Sequence, residues 1–446
     1  MSIPLDRLYH FIDNIAKEIT DNIIIYRFYP HGSKKLDRLE ELDGPVSWQD
    51  HALQISLYCN DQEPLNYKLY QNINLDYPLR KIVRLLSLDK DNNLKIKPTI
   101  YNKVCLLHSE QRSENLIKYQ TNQFIGVYYW SHALITLDWF RFAQHIHQKK
   151  KTITKTFLIY NRAWSGTREY RLKFVDLLIE LGLVDNCQSS VSPVEPELGL
   201  HYNQHQFNNS AWCPGNILED HFPINTSPSH YSADVDINDY QSTDIEVVLE
   251  TLFDDDRLHL TEKSLRPIAC GQPFILAGTH GSLEYLQSYG FKTFGHIWDE
   301  HYDQVEDPEE RLIKITDLMH KISRWSAEER VNNLAEAQAI ADYNKNHFFS
   351  KEFFNQVISE LKNNLQSAVT QLHKTNSFEP FINHWEHLLS FKEIKEFLED
   401  EKNGQHPGTY RTITQVETVL KIAKELHQIQ QEYPPYFINT YIIKRL

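Results

Sequence analysis

The sequence predicts an α/β protein made of two Rossmann-like halves with a helical C-terminal extension. Two series of apolar strand, polar turn and amphipathic helix carry this reading, one reaching about residue 147 and one running over 156–298. Between them stands the basic string Lys149-Lys150-Lys151, polar and free of core residues, which predicts a solvated linker. Beyond residue 298, apolar residues recur at three- and four-residue spacing, as on helices. The expected domains are therefore 1–150, 151–330 and 331–446, and 446 residues are enough for two or three separate cores.

In the first half, Leu5, Leu8, Phe11, Ile12, Ile15 and Ile19 fall near a 3.6-residue period and predict a helix over 1–20. Residues 22–29 are rich in Ile and Tyr and read as a strand, broken by Pro30-His31-Gly32-Ser33; a helix is expected over 36–42. A second strand, 55–59, runs into Asn60-Asp61-Gln62-Glu63-Pro64. Asp61 and Glu63 thus stand at the C-terminal end of a strand, where open α/β sheets place their chemistry. The plain alternative is a helix start with Asp61 as cap and Pro64 in the first turn. Residues 103–107 and 124–130 predict two more strands, ending at His108 and at Ser131-His132, and 139–147 predicts a helix.

The second half opens with a strand over 156–160 that delivers Asn161, Arg162, Arg168 and Arg171 to a loop and the start of a helix ending near Leu181. Guanidinium groups present a planar fork of donors suited to diphosphate oxygens, although an exposed arginine face is the plain alternative. Residues 188–235 are rich in Ser, Pro, Asn and His and lack periodicity, which marks an irregular segment. A buried strand is expected over 244–251, ending at Glu250. Next come Glu262-Lys263, then Leu265, Ile268 and Ala269 at helical spacing, then Gly271-Gln272-Pro273 as a breaker before the apolar run 274–277. Glu262 and Lys263 therefore sit at a helix N-terminus beside a parallel sheet, a place that favours phosphate. An exposed ion pair capping the helix is the plain alternative. Helices are expected over 309–325, 327–346, 351–372, 381–400 and 412–432.

The run from Thr261 to Leu276, with Gly281-Ser282-Leu283-Glu284-Tyr285-Leu286 and Tyr289-Gly290-Phe291-Lys292-Thr293-Phe294, resembles the nucleotide-sugar-binding half of GT-B glycosyltransferases. The likeness is to phage and bacterial surface-glycan transferases, and more distantly to fucosyltransferase and exostosin-like groups. It covers roughly 155–325, and Asn161-Arg162 with Arg168 and Arg171 belongs to it. The resemblance implies two Rossmann-like domains, transfer of a sugar from a nucleotide-sugar donor to a glycan acceptor, and no bound metal or other cofactor. It also implies Glu262 as acceptor for the ribose diol. Charge builds on the departing diphosphate, so Lys263, Arg162 and Arg168 are the cations expected to stabilise it. Glu250 joins the donor site because it ends the preceding strand, with packing or capping as the plain alternative. An inverting reaction needs a base on the first domain, for which Asp61 or Glu63 is expected ahead of His31 and His132.

Composition narrows the field. A formal net charge of −14 argues against broad binding to nucleic acid, which rests on neutralising phosphates. It leaves as an alternative a phage-type transferase acting on hydroxymethylated cytosine in DNA through a local basic patch. A non-catalytic nucleotide-sugar or glycan-binding protein is a further alternative. Asp234-Val235-Asp236 and Asp254-Asp255-Asp256 fit the short metal-binding pattern of GT-A enzymes, but such patterns are common. Five scattered cysteines without metal-ligand spacing predict a reducing, cytoplasmic setting. No apolar run predicts a membrane span or a signal peptide.

Overall fold

The computed structural model describes residues 3–4, 7–20, 23–29, 38–41, 55–59, 86–88, 94–96, 103–113, 116, 124–145, 151–161, 163–190, 192–196, 198–215 and 235–374. The protein is a mixed α/β molecule with parallel sheets and a helical region after them. Its contacts divide into two compact units. The first comprises Met1–Leu8, Ser109–Ser113 and Trp130–Glu360; the second comprises Tyr9–His108, Glu114–Tyr129 and Leu361–Leu446. Residues 130–145, which follow the last strand of the second unit, therefore belong with the first.

In the second unit, α1 (Leu8–Ile19) buries Tyr9, Ile12, Ile15 and Ala16 on one face, as its spacing predicts. Among the described residues, β1 (Ile23–Tyr29), β2 (Arg38–Glu41), β3 (Ile55–Cys59), β6 (Lys103–His108) and β7 (Phe124–Tyr128) form a sheet of order β2-β1-β3-β6-β7. A separate antiparallel ribbon joins β4 (Leu86–Leu88) to β5 (Leu94–Ile96). β1, β3, β6 and β7 run parallel, and β2 pairs antiparallel with β1, Phe28 lying opposite Leu39. The helix expected over 36–42 is thus corrected: its described part is an edge strand. Arg-Leu-Glu-Glu has helix-favouring residues, but four residues carry no decisive period, and pairing with β1 overrides local preference.

The first unit begins its secondary structure with α2 (Ser131–Trp139), followed by a 3₁₀ turn over Arg141–His145. The helix expected over 139–147 starts eight residues earlier than that. Residues Ser131 through Asp138 are all buried, so α2 has no polar face and no amphipathic period to betray it. Lys151 also departs from the expected solvated string. Its Nζ donates to Gln272 Oε1 at 2.6 Å, and burial pulls its pKa down to about 8. Lys149 and Lys150 lie outside the described residues.

The chain continues through β8 (Lys155–Tyr160), α3 (Tyr170–Glu180), β9 (Cys187–Ser190), β10 (Val194–Glu195), β11 (Leu200–His201), α4 (Ile237–Ser242), β12 (Thr243–Leu249), α5 (Glu262–Cys270), β13 (Phe274–Ala277) and α6 (Ser282–Ser288). β8, β9, β12 and β13 form a parallel sheet of order β13-β12-β8-β9 among the described residues. β12 is buried along its whole length, its polar residues Thr243, Asp244 and Glu246 included, as befits a strand inside a parallel sheet. The chain leaves β8 for β9 on one side, then returns to β12 on the other. The C-terminal ends of β8 and β12 therefore flank a reversal of strand order, the position where open parallel sheets bind ligands.

The helical region consists of α7 (Pro308–Ser323), α8 (Ala327–Phe348) and α9 (Lys351–Lys374), close to the expected spans. Ser326 and Glu329 form a reciprocal capping box on α8, and Arg330 joins that helix to β8 and β12 through Thr156 and Asp244. The helices expected over 381–400 and 412–432 lie outside the described residues. Among the described residues, no helix is long and apolar enough to cross a membrane.

Candidate functional site around the start of α5

The site grows from the link between β12 and α5. On the inner side, Glu246 in the middle of β12 is fully buried and accepts from Arg266 Nε at 3.1 Å and Nη2 at 2.5 Å, and from Tyr240 Oη at 2.5 Å. The Arg266 guanidinium also lies over the Tyr160 ring, 4.4 Å from its centre. A buried charge pair of this kind is tolerated because both members are hydrogen-bonded, and it fixes α5 against the sheet.

One residue beyond β12, Glu250 accepts from five donors: the Thr251, Thr261 and Ser264 amides and the Thr261 and Ser264 hydroxyls, at 2.6–3.2 Å. Thr261 caps α5, its Oγ1 accepting from the Lys263 amide at 3.4 Å, and Gly271 closes the helix in the left-handed conformation at φ 71°. The anion that complements the N-terminus of this helix is therefore internal. Of the amides expected to favour phosphate, those of Thr261 and Ser264 bond to Glu250 and that of Lys263 to Thr261 Oγ1.

Glu262 and Lys263 do not form an exposed pair. Their side chains are 6% and 15% exposed, and Lys263 Nζ donates to Glu262 Oε1 at 2.6 Å and to Thr261 Oγ1 at 3.2 Å. The other Glu262 oxygen, Oε2, faces His132 Nε2 at 3.6 Å. His132 comes from the second position of α2, and its ring meets that of His259 edge to face, with centroids 5.2 Å apart. His259 Nδ1 lies 3.2 Å from the Ser109 carbonyl oxygen. Burial lowers the His132 pKa to about 4, more than the Glu262 carboxylate raises it, and Lys263 adds to the decrease. Burial, helped by His132, takes His259 down to about 3. Both rings are neutral at pH 7.

Residues 109–113 cover this link. Gln111 and Leu258 exchange amide hydrogen bonds at 2.9 and 3.0 Å as a single antiparallel bridge. Arg257 Nη1 donates to Glu110 at 3.0 Å, and its remaining nitrogens bind Asp255. Trp130 Nε1 donates to the Leu260 carbonyl oxygen at 2.9 Å, and its ring packs among Tyr285, Tyr289, Phe291 and Phe353.

The expected site residues fall into three groups. Glu250, Glu262 and Lys263 come together as described. Arg168 lies on a 3₁₀ turn after β8, half-buried, with its Nε enclosed and meeting no hydrogen-bond partner among the described residues. Asp61, Glu63 and Arg162 lie outside the described residues, as does His31. Arg171, ranked behind the other arginines, donates to the carbonyl oxygens of Ala163, Leu249 and Glu250, so its guanidinium is bound to the protein's own backbone. The acidic patterns have structural partners: Asp236 caps α4, and Asp254 accepts from Asn209 and Trp212. Among the described residues, no group of three or more His, Cys, Asp or Glu is placed to hold a metal ion.

His259, Ser109, Glu110 and Arg257 carry no local signal that sequence reasoning could use. Leu258-His259-Leu260 looks like loop between two motifs, and its partners lie about 150 residues earlier. His132 reads from the sequence as a residue after a strand, a base candidate behind Asp61 and Glu63. No protein-family model, curated protein or solved structure matches the chain.

Proposed function

We propose that the protein transfers a sugar from a nucleotide-sugar donor to a glycan acceptor, on two Rossmann-like domains of the GT-B kind. The observation that carries this reading is the inward-facing Glu262–Lys263 pair, set against a neutral His132 at the C-terminal edge of a parallel sheet whose strand order reverses. Ligands of open α/β sheets bind at that edge. Displacement of a nucleoside diphosphate needs fixed cations where the leaving group gathers charge, together with a group that accepts the proton of the incoming hydroxyl. Lys263 and Arg168 are the described candidates for the first task, and Arg162 joins them by its place in the sequence. Because Glu250 and Thr261 take the Thr261, Lys263 and Ser264 amides at the start of α5, side-chain cations rather than those amides would hold the diphosphate. Tyr and Trp side chains are frequent in the chain and suit sugar faces, which agrees with a carbohydrate substrate.

A thermal-shift panel of nucleoside diphosphates and nucleotide-sugars tests the reading directly. A nucleotide present at about 100 times its Kd stabilises the folded protein by ~2.7 kcal/mol, which a melting curve resolves. A shift is expected for one nucleobase series, reduced in Lys263→Ala. The absence of any shift at millimolar nucleotide would overturn the reading.

A further inference from the structure

We propose that His132 is the general base of this site, with Nδ1 as its basic atom and Glu262 as the group that orients it. This rests on the transfer reading above and gives Glu262 an orienting role in place of ribose binding. The geometry of the ring carries the assignment. The Glu262 carboxylate faces Nε2 at 3.6 Å, so in the neutral ring Nε2 bears the proton and Nδ1 keeps the lone pair. Nδ1 is buried and meets no hydrogen-bond partner among the described residues.

The neighbouring ring repeats the pattern. His259 Nδ1 donates to the Ser109 carbonyl oxygen, which leaves Nε2 as a bare acceptor, also buried and without a partner among the described residues. Buried polar atoms are mostly satisfied, and a bare one calls for an explanation, a catalytic role among them. Two bare acceptors on rings in edge-to-face contact suit a molecule bearing O–H groups, such as a sugar hydroxyl or water. A carboxylate, an imidazole it orients and a free nitrogen on the far side of that ring make the arrangement that activates hydroxyl nucleophiles on many folds.

The charged and titratable groups around the ring keep it available. From α5, Glu262 favours protonation and Lys263 opposes it; from the preceding loop stands His259, itself influenced by Glu250 and Arg257. Burial outweighs all of these, so His132 stays neutral well below the ordinary histidine value of 6.5.

In the step itself, Nδ1 takes the proton of the acceptor hydroxyl as that oxygen bonds to the anomeric carbon of the donor. The bond from the anomeric carbon to the phosphate oxygen breaks, and its electron pair leaves with the nucleoside diphosphate. The imidazolium is held opposite Glu262 until it releases the proton to water.

The test uses the full chain with UDP-, GDP- and dTDP-linked sugars and water as the acceptor, following donor hydrolysis together with nucleotide binding by calorimetry. His132→Gln is expected to bind the nucleotide as wild type does while hydrolysing its sugar about 10² to 10⁴ times more slowly. The wild-type rate should stay level on acidification through pH 6.5 and fall only toward about pH 4, a limb absent from the variant. Hydrolysis by His132→Gln within about threefold of wild type, or with the same acid limb, overturns the base assignment alone, because nucleotide binding persists. If wild type binds none of these nucleotides, the transfer reading fails and the base fails with it. Should His132→Gln not fold, nitrogen-15 NMR of the wild-type imidazoles decides. An Nε2–H tautomer that does not titrate above about pH 5 supports the proposal, and an Nδ1–H tautomer overturns it.

Discussion

Glu250 shows how one buried carboxylate can organise a loop. Its two oxygens satisfy donors on Thr251, Thr261 and Ser264, so the twelve-residue link from β12 to α5 is tied at both ends to a single side chain. Glu250→Ala removes the acceptor for two hydroxyls and three amides in a dry setting and is expected to cost about 3 kcal/mol. Glu250→Gln keeps one carbonyl oxygen and should lose less than half of that. Urea unfolding of the two variants checks the order, and an alanine variant within about 1 kcal/mol of wild type would contradict it. The position of Glu250 at a strand end is readable from the sequence, but its task is not, because its partners stand eleven and fourteen residues further on. Glu262 and Lys263 are equally readable as neighbours at a helix start. What hides is their burial, since His132 of α2, which faces Glu262, stands far away in the chain.

At the scale of elements, two helices meet the same edge of the sheet with their N-termini already answered by internal acids. Glu250 serves α5, and Asp303 serves α6 by accepting from the Leu283 amide at 3.0 Å. α5 announces itself through Leu265, Ile268, Ala269 and the Gly271–Pro273 stop, because it has one apolar face and ordinary caps. α2 does not, being buried all round, and β2 is too short for any period to show. The contact of α2 with the loop before α5 has a consequence for pH. His259 is neutral and buried, with a folded pKa of about 3 against an ordinary 6.5. The unfolded chain therefore binds more protons than the folded one between these values, so the stability present above pH 6.5 is lost as pH falls toward 3. At pH 5 this amounts to roughly 2 kcal/mol. Glu300 and Asp303, raised by burial to about 7 and about 6, act in the opposite sense and are relieved by acid. The comparison of wild type with His259→Gln isolates the histidine: the stability gap between them should narrow by about 2 kcal/mol between pH 7.5 and pH 5. Denaturant midpoints at the two pH values measure it, and an unchanged gap would show that His259 takes up its proton in the folded state as readily as in the unfolded chain.

Across the whole molecule, the parallel sheets are legible because their strands are short apolar runs between polar turns. The order β13-β12-β8-β9 is not legible, since nothing local in β12 says that it will pair with β8 rather than β9. The division of the chain escapes a linear reading for the same reason: compactness follows contacts, whereas a sequence scan looks for one cut at a basic string. Ser109–Ser113 and Trp130–Glu360 belong to one unit although other residues intervene. That threading bears on how the first unit can be handled. A fragment spanning 151–374 would keep every strand of the β13-β12-β8-β9 sheet yet lack the Leu258 bridge partner Gln111, the Arg257 partner Glu110, the indole that donates to Leu260, and His132 itself. Such a fragment should express as aggregate or as a loosely packed species with early amide exchange along 250–265, whereas a circular permutant that retains 109–113 and 130–374 in one piece should protect those amides.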